Sequence, residues 1–340
     1  MAKKDIAWSD LGFSYMQTNS IVRMKFKNGK WGEIELLKDP IVPIHAAATS
    51  LHYGQAAFEG LKVFEMKNGV VAAFRPDENA VRMQDTAKRL LMEKVSTELF
   101  LQALNIIVKD NIDYVPPYGT GASMYVRPVL IGSGARIGVQ PSDEYDFYIL
   151  VMPVGPYYKG GLMPIDGWIQ TEYDRAAPRG LGHVKAGGNY AAALYSDKLG
   201  KKMGFPISLY IDSKEHKYID EFGSSNFIAI TRDNKYVTPD STSILPSITN
   251  KSLMTLANDL GIVVEKRRIL IDELETFTEV GSVGTAAVIT PISSITYGDK
   301  VYKFCEAGKV GETLQKLYNK LQGIQYGDVE DKYGWMYKIA

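Results

Sequence analysis

The chain has 340 residues, 45% of them hydrophobic, with 39 Lys plus Arg balanced by 39 Asp plus Glu. That length is enough for a large core and is expected to divide into two domains, while the charge balance offers nothing to a polyanion and excludes nucleic acid as an expected partner. The one cysteine, Cys305, excludes an intrachain disulfide framework and any paired-thiol redox or zinc motif. The opening Met1-Ala-Lys-Lys-Asp-Ile-Ala-Trp8 has charge but no apolar stretch behind it, so no secretory signal is read. No run approaches bilayer length, and the expected location is the cytoplasm, with no membrane partner. His45, His52, His183 and His216 do not fall at metal-ligand spacing, so no metal is expected.

In chain order, Ile21 to Phe26 and Trp31 to Leu36 flank Asn28-Gly29 and read as a hairpin; Lys62 to Glu65 and Val70 to Phe74 around Asn68-Gly69 read as a second. Asp77 to Leu91 has a helical pattern, with Ala80, Val81, Met83, Ala87, Leu90 and Leu91 near one face. Thr97 to Asn111 is a second amphipathic helix, capped by Ser96 or Thr97. Ser123 to Ile131 and Phe147 to Val154 are strand-like apolar runs. These elements make an α/β domain over residues 1–156.

The turn-rich Gly155-Pro-Tyr-Tyr-Lys-Gly-Gly-Leu-Met-Pro164 begins an expected interdomain linker over 157–170, and residues 171–340 form the second domain. There, strands and helices are read at Asn189 to Leu199, Ile207 to Ile211, Phe227 to Thr231, Ser247 to Leu260, Ile262 to Arg267 and Ala286 to Ile295. The chain shows no internal repeat and no low-complexity segment.

Chemistry is read first from Lys185, in Gly180-Leu-Gly-His-Val-Lys185-Ala-Gly-Gly-Asn-Tyr190. A Schiff-base amine must be neutral, and flanking glycines let a bulky aldehyde approach the backbone. In Leu245-Pro-Ser-Ile-Thr-Asn250 a turn runs into a helix, so the amides of Ile248 and Thr249 and the helix dipole face outward as an anion site. Val280-Gly-Ser-Val-Gly-Thr-Ala-Ala287 is expected to be a glycine-rich turn offering amides to an oxyanion. Glu221, just before an apolar strand, can keep a pyridine nitrogen protonated, and Arg82 can bind phosphate in bidentate fashion. The glycines of Ile131-Gly-Ser-Gly-Ala-Arg-Ile-Gly138 follow a strand, but their spacing is one residue too long for a dinucleotide loop and Pro141 breaks the helix such a loop requires.

The order and wording of these segments resemble the branched-chain amino acid aminotransferases of the fold-type IV pyridoxal phosphate enzymes, over nearly the whole chain. The likeness rests on Leu51-His-Tyr-Gly-Gln-Ala-Ala-Phe-Glu-Gly-Leu-Lys62, Phe74-Arg-Pro with Asn79 and Arg82, Met124-Tyr-Val-Arg-Pro128, Pro153-Val-Gly-Pro-Tyr157, Val184 to Tyr190, Glu221-Phe-Gly-Ser-Ser-Asn226, Leu245-Pro-Ser-Ile-Thr249 and Val283-Gly-Thr-Ala286. It implies a two-domain α/β (α+β) fold with a small N-terminal domain and a larger C-terminal pseudo-barrel, and reversible ping-pong transfer of the amino group of leucine, isoleucine or valine to 2-oxoglutarate. Pyridoxal 5'-phosphate would be held by Lys185, with Tyr190 on the ring oxygen, Glu221 on the ring nitrogen and the Ser224 hydroxyl near the ring. Arg82, Ile248, Thr249 and Thr285 would hold the phosphate. Thr285 and Ala286 would lie near the substrate carboxylate, and Tyr53, Phe58, Tyr125 and Tyr157 would line the side-chain pocket. Arg127 would bind the second carboxylate of glutamate, which an all-apolar pocket would leave unpaired.

Family members act at least as homodimers, and the same is expected here. Ala287 and Thr290 stand where some relatives have a Cys-x-x-Cys pair, so no thiol switch is expected. Two alternatives share the lysine and the carboxylate, D-amino acid aminotransferase and aminodeoxychorismate lyase; a non-catalytic cofactor-binding protein is the third.

Overall fold

A computed structural model describes residues 3–157, 161–305 and 308–340. The chain forms two compact units, one made of Met1–Tyr157, Val184–Gly188 and Gly323–Ala340, the other of Tyr158–His183 and Asn189–Gln322.

The first unit begins with β1 (Ile21–Lys27), β2 (Lys30–Trp31) and β3 (Glu35–Leu37). Asn28 and Gly29 have φ of 54° and 75°, the positive pair that lets a two-residue turn follow the strand twist. Then come α1 (Thr49–Tyr53), β4 (Ala56–Phe58), β5 (Leu61–Glu65), β6 (Val71–Phe74), α2 (Pro76–Arg89), α3 (Thr97–Asp110), β7 (Ser123–Gly132) and β8 (Tyr145–Val154). All pairings are antiparallel, and a C-terminal strand, Met336–Lys338, covers the edge at β6. The two helices bury Ala80, Met83, Ala87, Phe100, Leu104 and Ile107 against Met24, Val63, Val126 and Phe147 of the sheet. Ser96 caps α3 by accepting from the Leu99 amide. Val81 and Leu91, expected on the buried face, are exposed. Val81 follows Ala80 by one residue, about 100° around the helix, and Leu91 lies past the helix end with φ of 52°.

The glycines between Gly132 and Gly138 link antiparallel β7 to β8, with no helix after them. Their amides serve the chain itself: those of Ser133 and Gly134 donate to the Glu144 carbonyl, and that of Gly134 also to the Ser142 hydroxyl.

The second unit contains β9 (Ile165–Gln170), most of α4 (Gly187–Lys202), β10 (Ile207–Ile211), β11 (Ile219–Phe222), β12 (Ser225–Thr231), β13 (Tyr236–Pro239), α5 (Ile248–Asp259), β14 (Val264–Arg267), β15 (Phe277–Gly284), β16 (Val288–Tyr297), β17 (Lys300–Lys303) and most of α6 (Glu312–Tyr326). The sheet runs β11, β10, β9, β16, β15, β12, β13, β14, and β11 also pairs with β12. Six strands therefore close on themselves, which matches the expected pseudo-barrel. Phe222, Phe227, Leu209, Val280 and Ile292 fill its core.

Three expectations need correction here. Ile165–Gln170, inside the expected linker, is strand β9, parallel to both β10 and β16; residues 158–160 of that stretch lie outside the described residues. Val184–Gly188 clusters with the first unit, where Ala186 bridges to Ala57. Residues 280–284 of the expected glycine-rich turn are the end of β15, and only Thr285 to Ala287 turn. Gly281 is needed by packing, since a Cβ there would press on Ile228 and Ile289.

Candidate active site

In the first unit, β4 and β5, joined by Glu59 and Gly60, face the Lys185 segment. The Phe58 amide donates to the Lys185 carbonyl at 3.2 Å, and the Lys185 amide donates to the Thr86 hydroxyl at 3.0 Å, which itself donates to the Arg82 carbonyl. The segment is thus tied to α2, the helix that carries Arg82. The Lys185 Nζ stands 4.8 Å from the Phe58 ring centroid. Burial, with the Arg82 and Arg127 charges adding to it and Glu59 opposing, pushes the amine down to about 8. A lysine so placed is far more often neutral than one in water.

Arg82 is held by a residue that sequence reasoning gave no role. Glu59 is fully buried and takes the Arg82 fork in bidentate fashion, Nε to Oε1 and Nη2 to Oε2 at 2.8 Å each, while Asn79 donates to Oε2 at 2.7 Å. Burial raises the Glu59 pKa, but the Arg82 charge and hydrogen bond, with Lys185 and Asn79, outweigh it and leave the carboxyl below its usual range. The available signal was a charged residue set inside the apolar run Ala56 to Leu61.

Arg127, on β7, lies over the Phe58 ring at 4.9 Å and the Tyr125 ring at 5.2 Å, and donates to the Tyr125 hydroxyl at 2.9 Å. Its Nε is buried and has no hydrogen-bond partner among the described residues. Phe13 meets Tyr125 edge-on. Phe58, Tyr125, Arg127, Arg82 and Lys185 are therefore one cluster. Tyr53 is not shown in it: that side chain is exposed, and its hydroxyl donates to the Ile137 carbonyl. Tyr157, at the end of the described segment, is also exposed.

The second unit places the other expected residues. Glu221 lies within β11 rather than before a strand and is 3% exposed. Its Oε1 receives Arg175 at 2.6 Å and the Leu245 amide at 3.0 Å; its Oε2 receives Asn226 at 2.7 Å. Burial still pushes it up to about 7. From Asn226 a buried polar chain continues: Asn250 donates to Asn226 and to Thr238, and Tyr236 donates to Asn250. Asn250 is on the first turn of α5, whose start is fixed by the Ser247 hydroxyl accepting from the Asn250 amide. Ile248 and Thr249 are buried there, and their amides have no acceptor within the helix.

Thr285 and Ala286 are half-buried on the β15 to β16 turn, and Tyr190 is half-buried on α4. Ser224 is exposed on the β11 to β12 turn, while the next hydroxyl, Ser225, pairs with Ser282 at 2.5 Å. Sequence reasoning missed Arg175, Asn226 and Asn250, whose partners lie up to 68 positions away in the chain. Among the described residues no three His, Cys, Asp or Glu side chains are grouped to hold a metal ion, and no helix is long and apolar enough to cross a membrane.

Residues 56–295 match the family model for amino-transferase class IV. The chain is 48% identical to a branched-chain-amino-acid aminotransferase of Haemophilus influenzae, with 99% of each chain covered, and 45% identical to one of Helicobacter pylori at the same coverage. Among solved structures, that of the Escherichia coli branched-chain amino acid aminotransferase is similar, with a TM-score of 0.79 at 26% identity over 95% of this chain and 100% of that one.

Proposed function

Because the chain belongs to the class IV aminotransferases, we propose that it moves the amino group of leucine, isoleucine and valine reversibly to 2-oxoglutarate, using pyridoxal 5'-phosphate. The observation that carries the substrate class is Arg127: a guanidinium laid over two aromatic rings, with a buried Nε lacking a partner among the described residues. Aromatic walls favour an apolar side chain, and the guanidinium favours the second carboxylate of glutamate. One pocket then serves both half-reactions.

The residues fit the cofactor. A depressed amine, a buried carboxylate on a network of donors and a capped helix start with free-standing first-turn amides are the three features it requires. When bound, pyridoxal 5'-phosphate supplies an aldehyde for the amino group and a ring that accepts the electron pair from the substrate Cα. Lys185 is the amine that would hold it between turnovers and would move the proton at Cα. Glu221 would pair with the ring nitrogen and Tyr190 with the ring oxygen, and the Ser224 hydroxyl would lie near the ring. Arg82, oriented by Glu59, and Ile248, Thr249 and Thr285 would hold the phosphate, and Thr285 with Ala286 would bind the substrate carboxylate. Phe58 and Tyr125 would line the side-chain pocket, and Tyr53 and Tyr157, exposed in this chain, would complete it. The enzyme is further proposed to act as a cytoplasmic homodimer.

The test is a spectral titration of purified holoprotein with L-leucine, L-isoleucine, L-valine, D-alanine and aminodeoxychorismate. Loss of the cofactor's visible band with the three branched-chain substrates, and its absence in Lys185→Ala, is the expected result. A response to D-alanine or aminodeoxychorismate alone would assign a different activity of the same fold, and no visible band at all would leave a protein without this cofactor.

A further inference from the structure

Arg175 is 8% exposed at its side chain, and its Nη2 lies 2.6 Å from Glu221 Oε1. The same guanidinium donates to the carbonyls of Gly182 and Ser243. That arrangement requires the chain to pass very close to itself, and Gly182 permits it: a Cβ there would strike the Ser243 carbonyl and the Ala176 side chain. We propose that Arg175 is a positioning residue that fixes the direction of the Glu221 carboxylate and favours its charged form before any ring nitrogen arrives.

This rests on the cofactor reading above, and charge decides it. Glu221 is enclosed by β10, β12 and the 240–245 turn, and its neighbours there are the Leu245 amide and Asn226, both neutral donors. The ionisable groups that face it are Arg175, which is cationic, and Asp220, which opposes its ionisation. Asp220 is itself buried, hydrogen-bonded by Ser241 and faced by Asp212 and Arg268. An uncompensated carboxylate in such a place takes up a proton instead of remaining charged. A protonated acid gives a pyridine nitrogen an ordinary hydrogen bond, whereas an ionised one holds the ring cationic. Arg175 thereby decides which of the two groups carries the proton, without touching the substrate.

The apo protein gives the first readout. The protonated-carboxyl infrared band of Glu221, assigned by its loss in Glu221→Gln, should disappear at a higher pH in Arg175→Gln than in the wild type, and close to the wild-type pH in Arg175→Lys. An unchanged midpoint in Arg175→Gln overturns the proposal. The second readout is apo-protein affinity for pyridoxamine 5'-phosphate and for its 1-deaza analogue, which lacks the ring nitrogen. Arg175→Gln should weaken the first about tenfold or more at pH 8 and leave the second unchanged. Equal losses on both probes would mean that Arg175 only supports the loop. Should Arg175→Gln not fold, Arg175→Lys combined with Glu221→Gln decides: additive effects overturn the proposal and non-additive ones support it. If the wild type binds neither probe, the cofactor reading fails, while the infrared midpoint still reports on Arg175 alone.

Discussion

At pH 7 an ordinary lysine is neutral in about one molecule in three thousand, whereas Lys185, pushed down to about 8 by burial and by the Arg82 charge, is neutral in roughly one in ten. The enrichment is about 300-fold, and it comes first from burial of the amine, with the surrounding charges adjusting it in both directions. Glu59 opposes it, so Glu59→Gln should move the Lys185 titration below about 8, and Arg82→Gln should move it up. The assay is competitive acetylation of the apo protein with trace acetic anhydride from pH 6 to 11, each lysine peptide quantified by mass spectrometry with exposed Lys30 as the internal standard. The midpoint is the readout, because burial also limits access and lowers the absolute rate. A Lys185 midpoint near 10.5, or shifts in the same direction for the two variants, would refute the account of how this amine is tuned.

Arg82→Met should cost about 3–5 kcal/mol of apo-protein stability at neutral pH, because it leaves Glu59 charged and buried without its partner. In the wild type the depressed Glu59 contributes stability present above its unfolded value and lost as pH falls through the folded one; in the variant the carboxyl is raised instead, so the gap between the two proteins should close as pH drops from 7 toward 4 in thermal melts. Arg127→Ala should raise KM for glutamate and 2-oxoglutarate by about 10- to 100-fold, the worth of a charge-assisted pair, and for leucine much less; steady-state kinetics on both half-reactions checks it. Gly60→Ala should copy that pattern in weaker form, since the added methyl meets the Tyr125 hydroxyl that receives Arg127. Ser247→Ala should lower the apo-protein melting stability by about 1 kcal/mol through loss of the cap on the Asn250 amide.

Elements set by local chemistry were legible in the sequence. The turn at Asn28-Gly29 reads out because only residues tolerant of positive φ fit there, and α3 because its cap and its apolar spacing agree. Strands β11 and β13 were not read, although both are wholly buried. Ile219-Asp-Glu-Phe222 carries two acids that look like a surface loop, and what buries them is Arg175, far upstream, together with Asn226 and Leu245 on other elements. The site divides the same way. Lys185 and Ile248 announce themselves through neighbours in sequence, but Glu59 acquires meaning only from Arg82, 23 residues later.

The C-terminal strand has a consequence for how the molecule is made. Met336–Lys338 pairs with β6, and the Val71 amide donates to the Ala340 carbonyl, so the first sheet joins a strand made early to one made much later. Until the last strand is released, β6 presents an open edge of backbone donors and acceptors that another nascent chain can capture. Closing so long a loop costs only slightly more than closing one of half the length, so the burden falls on folding rate and not on final stability. The interval before closure is therefore one in which the β6 edge is open to misassembly.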